Sequence, residues 1–503
     1  MQTRALRRLS AAASLAGAML VGACGDFNVT NPNQPTLGDL VTNPTRGKLS
    51  TAATGLFIGA RRDIPDYVWR LGSLGREGIN LAGNNQPDYQ EPYFGPLSGT
   101  GFGAQIWEAE YRQLRNANVY LDAVPLAGQL AGPEALTAEE VSASLGFGKT
   151  LKALALLYVV SAHAELGAPV DVNRDITAEP APFVSEDSVY GYILGTLAEA
   201  ASDLTAAGSS VFPFPTPPGL AGFDTPATFL ALNQALAAKA YLYRATASGS
   251  SCGPTACYDA ALAAIAAAGP AFSLGDPAQF ATGAYYDFSN AAGDLPNELS
   301  DGLDQPTYFA LPLLLDLAQL QTDGTTPDQR AIDKITDQTA GSPQQIGGIG
   351  ISGEKKFTIY LSGGEPDPSA PVPIIRNEEL ILLRAEANIG LNNLGAALPD
   401  INLVRTNAGN LPALGSLASQ AAAIDELLYN RRYSLLWEQG ATWVDARRYG
   451  RLNTIPIPPG FANSTPPDPT GQFGPSLVPT RLVIPDNECR ARGLESGCSP
   501  LGT

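Results

Sequence analysis

The chain has 503 residues, 44% of them hydrophobic and only 16% charged, with 52 glycines, 41 prolines and a formal net charge of −18. That is enough apolar material for a substantial core, in one large helical domain or in several smaller ones, and many of its connections should be loops. The acidity excludes a nucleic-acid binder and a protein held on anionic lipid by a basic patch, because both need clustered Lys and Arg.

Arg4, Arg7 and Arg8 form a positive start, and an apolar run follows from Leu9 to Val21. That run suits a secretory signal and is too short to span a bilayer comfortably. It leads through Gly22 and Ala23 directly into Cys24, an order that resembles a bacterial lipobox. The resemblance implies that residues 1–23 are a lipoprotein signal peptide and that Cys24 becomes the lipidated first residue. Several acyl chains on one cysteine give firm anchoring, at about 0.8 kcal/mol per buried CH₂. Gly25 next to Cys24 is not an inner-membrane retention residue, so the expected location is the outer membrane, lipid-anchored, and this segment alone does not set which surface the protein faces. Loss of the three arginines takes the net charge from −18 to −21.

Residues 24–45 are rich in Asn, Pro and Thr and read as a lipidated tether. Residues 46–503 then form one helical body. A first helical stripe covers about 103–124, with Trp107, Tyr111, Leu114, Asn118 and Leu121 on one face. Further helices are expected at about 148–166, at 186–206 behind an N-cap at Ser185, at 227–246 and at 257–268. The 211–226 stretch is Pro-rich and reads as an ordered connection. Pairs of such helices with Ala at the crossings predict helix-turn-helix repeats of a tetratricopeptide-like kind. The pattern loosens over about 270–375, a loop-rich insertion in which Lys356–Leu361 is the best strand candidate. Another helix pair follows, around Leu380–Ala387 and Leu394–Val404, with Asn392 and Asn393 in the turn. A second Pro-rich connection covers 456–479. The expected fold class is therefore mainly α, an α-α superhelix with long irregular loops and a few short strands.

The remaining cysteines fall into two local pairs, Cys252 with Cys257 and Cys489 with Cys498. An even count outside the cytoplasm points to disulfides. A four-cysteine zinc site is the weaker alternative, because neither spacing matches the usual C-x₂-C knuckle. No metal and no cofactor are expected.

Catalysis lacks parts. His163 is the single histidine and lies in an apolar helix, which leaves no Ser-His-Asp set and no HExxH zinc site. Ala143–Thr150 fits a permissive P-loop pattern, but the polar Thr137–Val141 precedes it where a working P-loop needs a buried strand. Gly348–Gly353 matches G-x-G-x-x-G without a following helix and reads as a glycine turn. Arg431–Arg448 is dense in charge beside Trp437 and Trp443, and partnered charges within a helical scaffold explain it better than a sugar platform.

Four segments share one further likeness. They are Arg376–Ala387 (RNEELILLRAEA), Ala396–Arg405 (AALPDINLVR), Arg431–Arg448 (RRYSLLWEQGATWVDARR) and Ile484–Glu488 (IPDNE). In this order they resemble the helices and closing motif of the SusD/RagB family. Gln439 stands where that family often runs Glu-Gly directly, and Thr442 where Arg or His is common. The resemblance implies a nutrient-binding surface lipoprotein that catalyses nothing. It implies a tetratricopeptide-like scaffold whose loops build a ligand site, and a partnership with a SusC-like TonB-dependent outer-membrane transporter over which the protein closes as a lid. The ligand implied is an oligosaccharide or another oligomeric nutrient.

Sugar recognition wants aromatic platforms with amide, carboxylate or guanidinium groups on loops. The 69–95 segment has that mixture, and by family position the loop after the first helix contributes to the pocket. The expected ligand contacts are Arg76, Asn80, Asn84, Tyr89, Tyr93 and Phe94, with Trp69, Asn85 and Asp88 in the same cluster. Tyr285, Tyr286, Phe288 and Tyr308 form a second aromatic group. The competing reading is that these side chains pin long loops to the scaffold. Two other functions compete as well: a helical-repeat lipoprotein scaffold for protein–protein interaction, and a surface glycosidase with two carboxylates in a cleft.

Overall fold

The computed structural model describes residues 40, 42–81, 87–175, 177–253, 255–302, 307–338, 353–456 and 478–502. The signal segment, Cys24, most of the tether, Asn84, Asn85, Gly348–Ser352 and most of the second Pro-rich connection lie outside these residues.

Helix α1 (Arg46–Arg61) starts at the N-cap Thr45, whose side chain accepts from the Lys48 amide. α2 (Ile64–Leu74) and the short α3 (Pro87–Phe94) flank strand β1 (Gly78–Asn80). α4 (Glu108–Ala127) is the first expected helix, begun later because Trp107 is its non-helical N-cap. α5 (Ala138–His163) begins ten residues before its expected start, where Thr137 and Glu140 form a reciprocal capping box. α6 (Glu186–Ala206) keeps the expected bounds and the Ser185 cap, and α7 (Pro226–Ala245) opens with a second capping box at Thr225 and Thr228. α8 (Ala256–Phe272) follows.

The glycines of the 143–150 motif are helical, so no phosphate-binding loop exists there. Their job is close packing. A Cβ on Gly146 would lie 2.5 Å from Leu204 Cγ of α6, and one on Gly148 would lie 2.9 Å from Leu121 Cδ2 of α4. A side chain at either place would push a neighbouring helix away.

α4 to α8 each pack on the next, the successive-neighbour arrangement of a tetratricopeptide-like stack. α1 lies across α4 and α5. The window of α5 apolar enough to cross a membrane is 83% buried in this stack, as befits a core helix. The 211–226 connection is ordered by its aromatics: Phe212 and Phe214 turn inward onto Phe147, at 5.8 and 4.8 Å between ring centroids.

The short strands β2 (Ala168–Pro169) and β3 (Phe183–Val184) pair with each other between α5 and α6, and the loop-rich part contributes β4 (Gly283–Tyr286), β5 (Tyr308–Ala310), helix α9 (Gln329–Lys334), β6 (Ile335–Asp337) and β7 (Lys355–Phe357). β1, β5, β7 and β6 form one antiparallel sheet in that order. The strand expected over Lys356–Leu361 is broken. β7 ends at Phe357, and Tyr360 turns inward to donate to the Trp437 carbonyl at 2.9 Å before the next short strand.

A strand at Val372–Arg376 pairs with β4 and runs directly into α10 (Asn377–Gly390), which packs on α7 and α8. α11 (Leu394–Asn407) and α12 (Gln420–Ser434) close a second core on it, built from Ile381, Ala385, Ile401, Val404 and Leu427. α13 (Ala441–Arg448) joins α12 to α2, and α14 (Asp486–Ala491) ends the described helices. Both cysteine pairs, Cys252–Cys257 and Cys489–Cys498, are disulfide-bonded, with Cα atoms 5.8 Å apart in each.

Candidate ligand-binding site

The charge-dense 431–448 block lies inside the protein. Arg431 Nε meets Asp445 Oδ2 at 2.6 Å, and Arg448 Nη1 meets Asp445 Oδ1 at 2.8 Å. Arg448 also pairs with Glu386, and Lys239 with Glu379 at 2.9 Å, so α7, α10, α12 and α13 share one network. Gln439 fits it: it accepts from Lys239 and donates to the Ile374 carbonyl at 2.8 Å. Trp437 is stacked on Phe357 at 4.2 Å, and Trp443 donates to the Pro479 carbonyl at 2.7 Å. Both indoles are fully buried, so neither is a platform for a ligand.

Most of the described residues expected as ligand contacts in the 76–94 segment are likewise turned inward. Arg76, Asn80 and Tyr93 are 2%, 6% and 3% exposed. Arg76 lies over the Tyr93 ring, 4.1 Å from its centroid, and donates to the Pro92 carbonyl at 2.9 Å. Tyr93 donates to the Gly78 carbonyl at 3.0 Å, and Asn80 to Asp88 Oδ2 at 3.3 Å. Together they bind α2, β1 and α3 to one another. Tyr89 is half-buried against Ile79, Leu81 and Phe309. Asn84 and the Phe94 side chain lie outside the described part. The second aromatic group is also internal: Tyr286, Phe288 and Tyr308 are buried, and only Tyr285 is half-exposed.

Open space lies elsewhere, at the head of α4. A cavity of about 420 Å³ is bounded by the first turn of α2, the 99–107 segment, the start of α4 and α14. Asp63 and Asp66 enter from α2, Gln105 and Trp107 from the connecting segment, Glu110 and Arg112 from α4, and Asn487 and Arg490 from α14. The closing IPDNE motif thus supplies a wall, held by the Asp486 amide donating to the Gly99 carbonyl at 2.9 Å. A larger groove of about 1070 Å³ runs on between α1 and α4, lined by Ser50, Thr51, Thr54, Arg62, Gln113 and Asn116. The two share Ala109 and Arg112, so they form one track along α4.

The floor of the smaller cavity is firmly set. Ile106 has φ of 60°, a left-handed conformation costly for a β-branched residue. His163 holds it, with Nε2 3.3 Å from the Ile106 carbonyl and the ring edge-on to Trp107 at 4.9 Å. Burial pushes the His163 pKa down to about 4, so the ring is neutral at physiological pH and its Nε2–H donates. The lone histidine is therefore a fastener for the cavity floor. Glu110 is buried in the wall, and burial, followed by the nearby Asp63 charge, pushes its pKa up to about 8. Asp63 is raised too, by burial and then by Asp66, and Arg112 Nη2 stands 3.9 Å from Asp63 Oδ2.

None of the cavity residues is among the ligand contacts expected from sequence, although Trp107 stands on the first helical stripe and Pro485 and Asn487 in the closing motif. The available signal was Glu110, an acid three residues after Trp107 and four before Leu114, on the face that α4 buries. Among the described residues, no group of three or more His, Cys, Asp or Glu side chains could hold a metal ion.

The family model described as the SusD family matches residues 354–475. A SusD superfamily protein from Bacteroides vulgatus superposes with a TM-score of 0.66 at 14% identity, covering 90% of this chain and 99% of that one. A SusD-like carbohydrate binding protein from Bacteroides fragilis gives 0.64 at 16% identity, covering 89% and 98%. A laminarin binding SusD-like protein gives 0.57 at 16% identity, covering 90% and 98%. At these identities the likeness is one of fold. No curated protein matches the chain.

Proposed function

We propose that this chain, a SusD/RagB family member by the match over residues 354–475 and by its fold, captures an oligosaccharide and delivers it to a TonB-dependent outer-membrane transporter. In this reading it is exported, lipidated on Cys24 and held on the outer face of the outer membrane, and it performs no chemistry on the ligand.

The observation that carries the reading is the track along α4. An oligomer needs an elongated groove rather than a closed chamber, with hydroxyl and amide groups to exchange hydrogen bonds with its hydroxyls. The groove offers Ser50, Thr51, Thr54, Gln113 and Asn116, and the adjoining cavity offers Gln105, Asn487 and carboxylates beside Tyr67 and Trp107. Two of the fold relatives, described as carbohydrate binding and laminarin binding, support the ligand class.

The test is calorimetric titration of the mature chain with laminarin-type and other neutral oligosaccharides, repeated on Asn116→Ala and Arg112→Ala. Saturable binding that weakens about tenfold or more in these variants supports capture along α4, given that a hydrogen bond to a charged group contributes about 1.5–3 kcal/mol. Binding indifferent to both variants places the ligand elsewhere. Stoichiometric co-purification of a TonB-dependent barrel from the native membrane tests delivery, and its absence removes the transporter from the proposal.

A further inference from the structure

Glu110 has an unusual position. It is 6% exposed, it borders the 420 Å³ cavity, and its carboxyl makes no hydrogen bond or ion pair with the described residues. A buried carboxyl left in that state is costly, and the cost falls when a partner arrives from the cavity side. The surroundings specify the partner. Asp63, Asp66 and Glu108 border the same space. Two cations, Arg112 and Arg490, line it as well; Arg112 stands 3.9 Å from Asp63 with its side chain 54% exposed, so the four carboxylates outnumber the cations. Asp66 accepts from Trp69 Nε1 at 2.7 Å and stands 3.5 Å from Arg70 Nε, both through Oδ1, and stays 43% exposed with accepting capacity left on Oδ2. Tyr67 and Trp107 complete the wall, and aromatic surface beside carboxylates favours a cation over a neutral or anionic group.

We propose that this cavity binds a primary ammonium group on the ligand, with Glu110 as its principal acceptor and Asp63 and Asp66 as supporting charges. The ligand class is then an oligomer carrying free amines, such as a de-N-acetylated amino sugar, with its amine in the cavity and its remaining units along the groove. The inference rests on the capture reading for the second half of that statement and on the cavity alone for the first.

Three probes separate the two. They are a β-1,4-linked glucosamine oligomer, its fully N-acetylated counterpart of equal length, and a simple aliphatic diamine, each titrated into the mature chain and into Glu110→Gln. Gln keeps the shape and cannot become the carboxylate that an ammonium group pairs with, and circular dichroism checks that the variant is folded. Asp66→Asn, at a partly exposed position, is the second variant should Glu110→Gln unfold. The expected result is that the free-amine oligomer binds at least about tenfold tighter than the acetylated one, with the preference lost in Glu110→Gln and reduced in Asp66→Asn. Equal binding of the two sugars overturns the ammonium site and leaves oligosaccharide capture standing. Diamine binding that depends on Glu110, with neither sugar bound, supports the ammonium site and removes the sugar. Failure of both amines to bind overturns the inference.

Discussion

Glu110 and His163 carry opposite pH dependences at the two sides of one cavity floor. The His163 pKa falls to about 4 in the folded protein from an ordinary 6.5, so the unfolded chain binds more protons between those values. Its contribution is present above pH 6.5 and lost as pH falls toward 4, about 3 kcal/mol in all. Glu110 rises from 4.5 to about 8, so its contribution is present below pH 4.5 and lost as pH rises toward 8, on the order of 5 kcal/mol. The groups that set this shift or feel it are Asp63 on α2, Tyr158 on α5 and Tyr286 on β4. Glu110→Gln is therefore expected to gain stability relative to the parent as pH goes from 5 to 8, read as a growing difference in melting temperature. A constant difference across that range would mean that Glu110 titrates normally. Arg431 is the other residue with a large expected effect. Arg431→Ala takes one of two cations from each of Asp445 and Glu379, which keep Arg448 and Lys239, so urea unfolding should show a loss of about 1–3 kcal/mol.

At the scale of elements, two helical glycines that look alike in sequence are expected to respond with opposite signs. Gly195 in α6 has nothing within 4 Å of a built Cβ, so Gly195→Ala gains helix propensity without obstruction, by about 0.5–1 kcal/mol. Gly146 in α5 faces Leu204 Cγ at 2.5 Å and the Ala200 carbonyl at 3.0 Å. Gly146→Ala meets both, and overpacking of about 1–3 kcal/mol exceeds the propensity gain. Thermal melts of the two variants check this, and stabilisation by Gly146→Ala would show that the α5–α6 contact is looser than its geometry. The same contact explains why the P-loop-like pattern misleads: glycine permits close approach to a phosphate or to a helix, and a motif does not say which. Caps were the dependable local signal, and Ser185 starts α6 where its short polar side chain predicts.

At the scale of the molecule, the successive-neighbour stack of α4–α8 and the buried ion pairs of α10, α12 and α13 make one body with its open track on the α1–α4 side. The proposed anchor precedes that side, since α1 is the first complete helix after the tether. Cys24→Ser is expected to move the protein from the detergent phase to the aqueous phase in a Triton X-114 partition, while leaving its melting temperature unchanged. Continued detergent partitioning would remove Cys24 as the lipid site.

Helices, caps and the four C-terminal motifs were legible in the linear chain because each depends on neighbours within one or two turns. The density of opposite charges in the 431–448 block points to internal pairing, and its ion pairs lie inside the protein. Which polar side chains face open space was not legible. Arg76, Asn80 and Tyr93 have the chemistry of a sugar site, yet that chemistry also ties a loop to its own backbone, and only the packing of α2, β1 and α3 decides between the uses. The cavity itself joins residues 63–66, 105–112 and 485–490, which no local pattern connects. Sequence alone determined the helical class, the run of helices α4–α8, the α10–α11 pair and the family likeness, because periodicity, capping and motif order are local properties; α1 and α2 were not among the expected helices. The tertiary structure alone decided which polar groups face space, because burial depends on what the rest of the chain places against them.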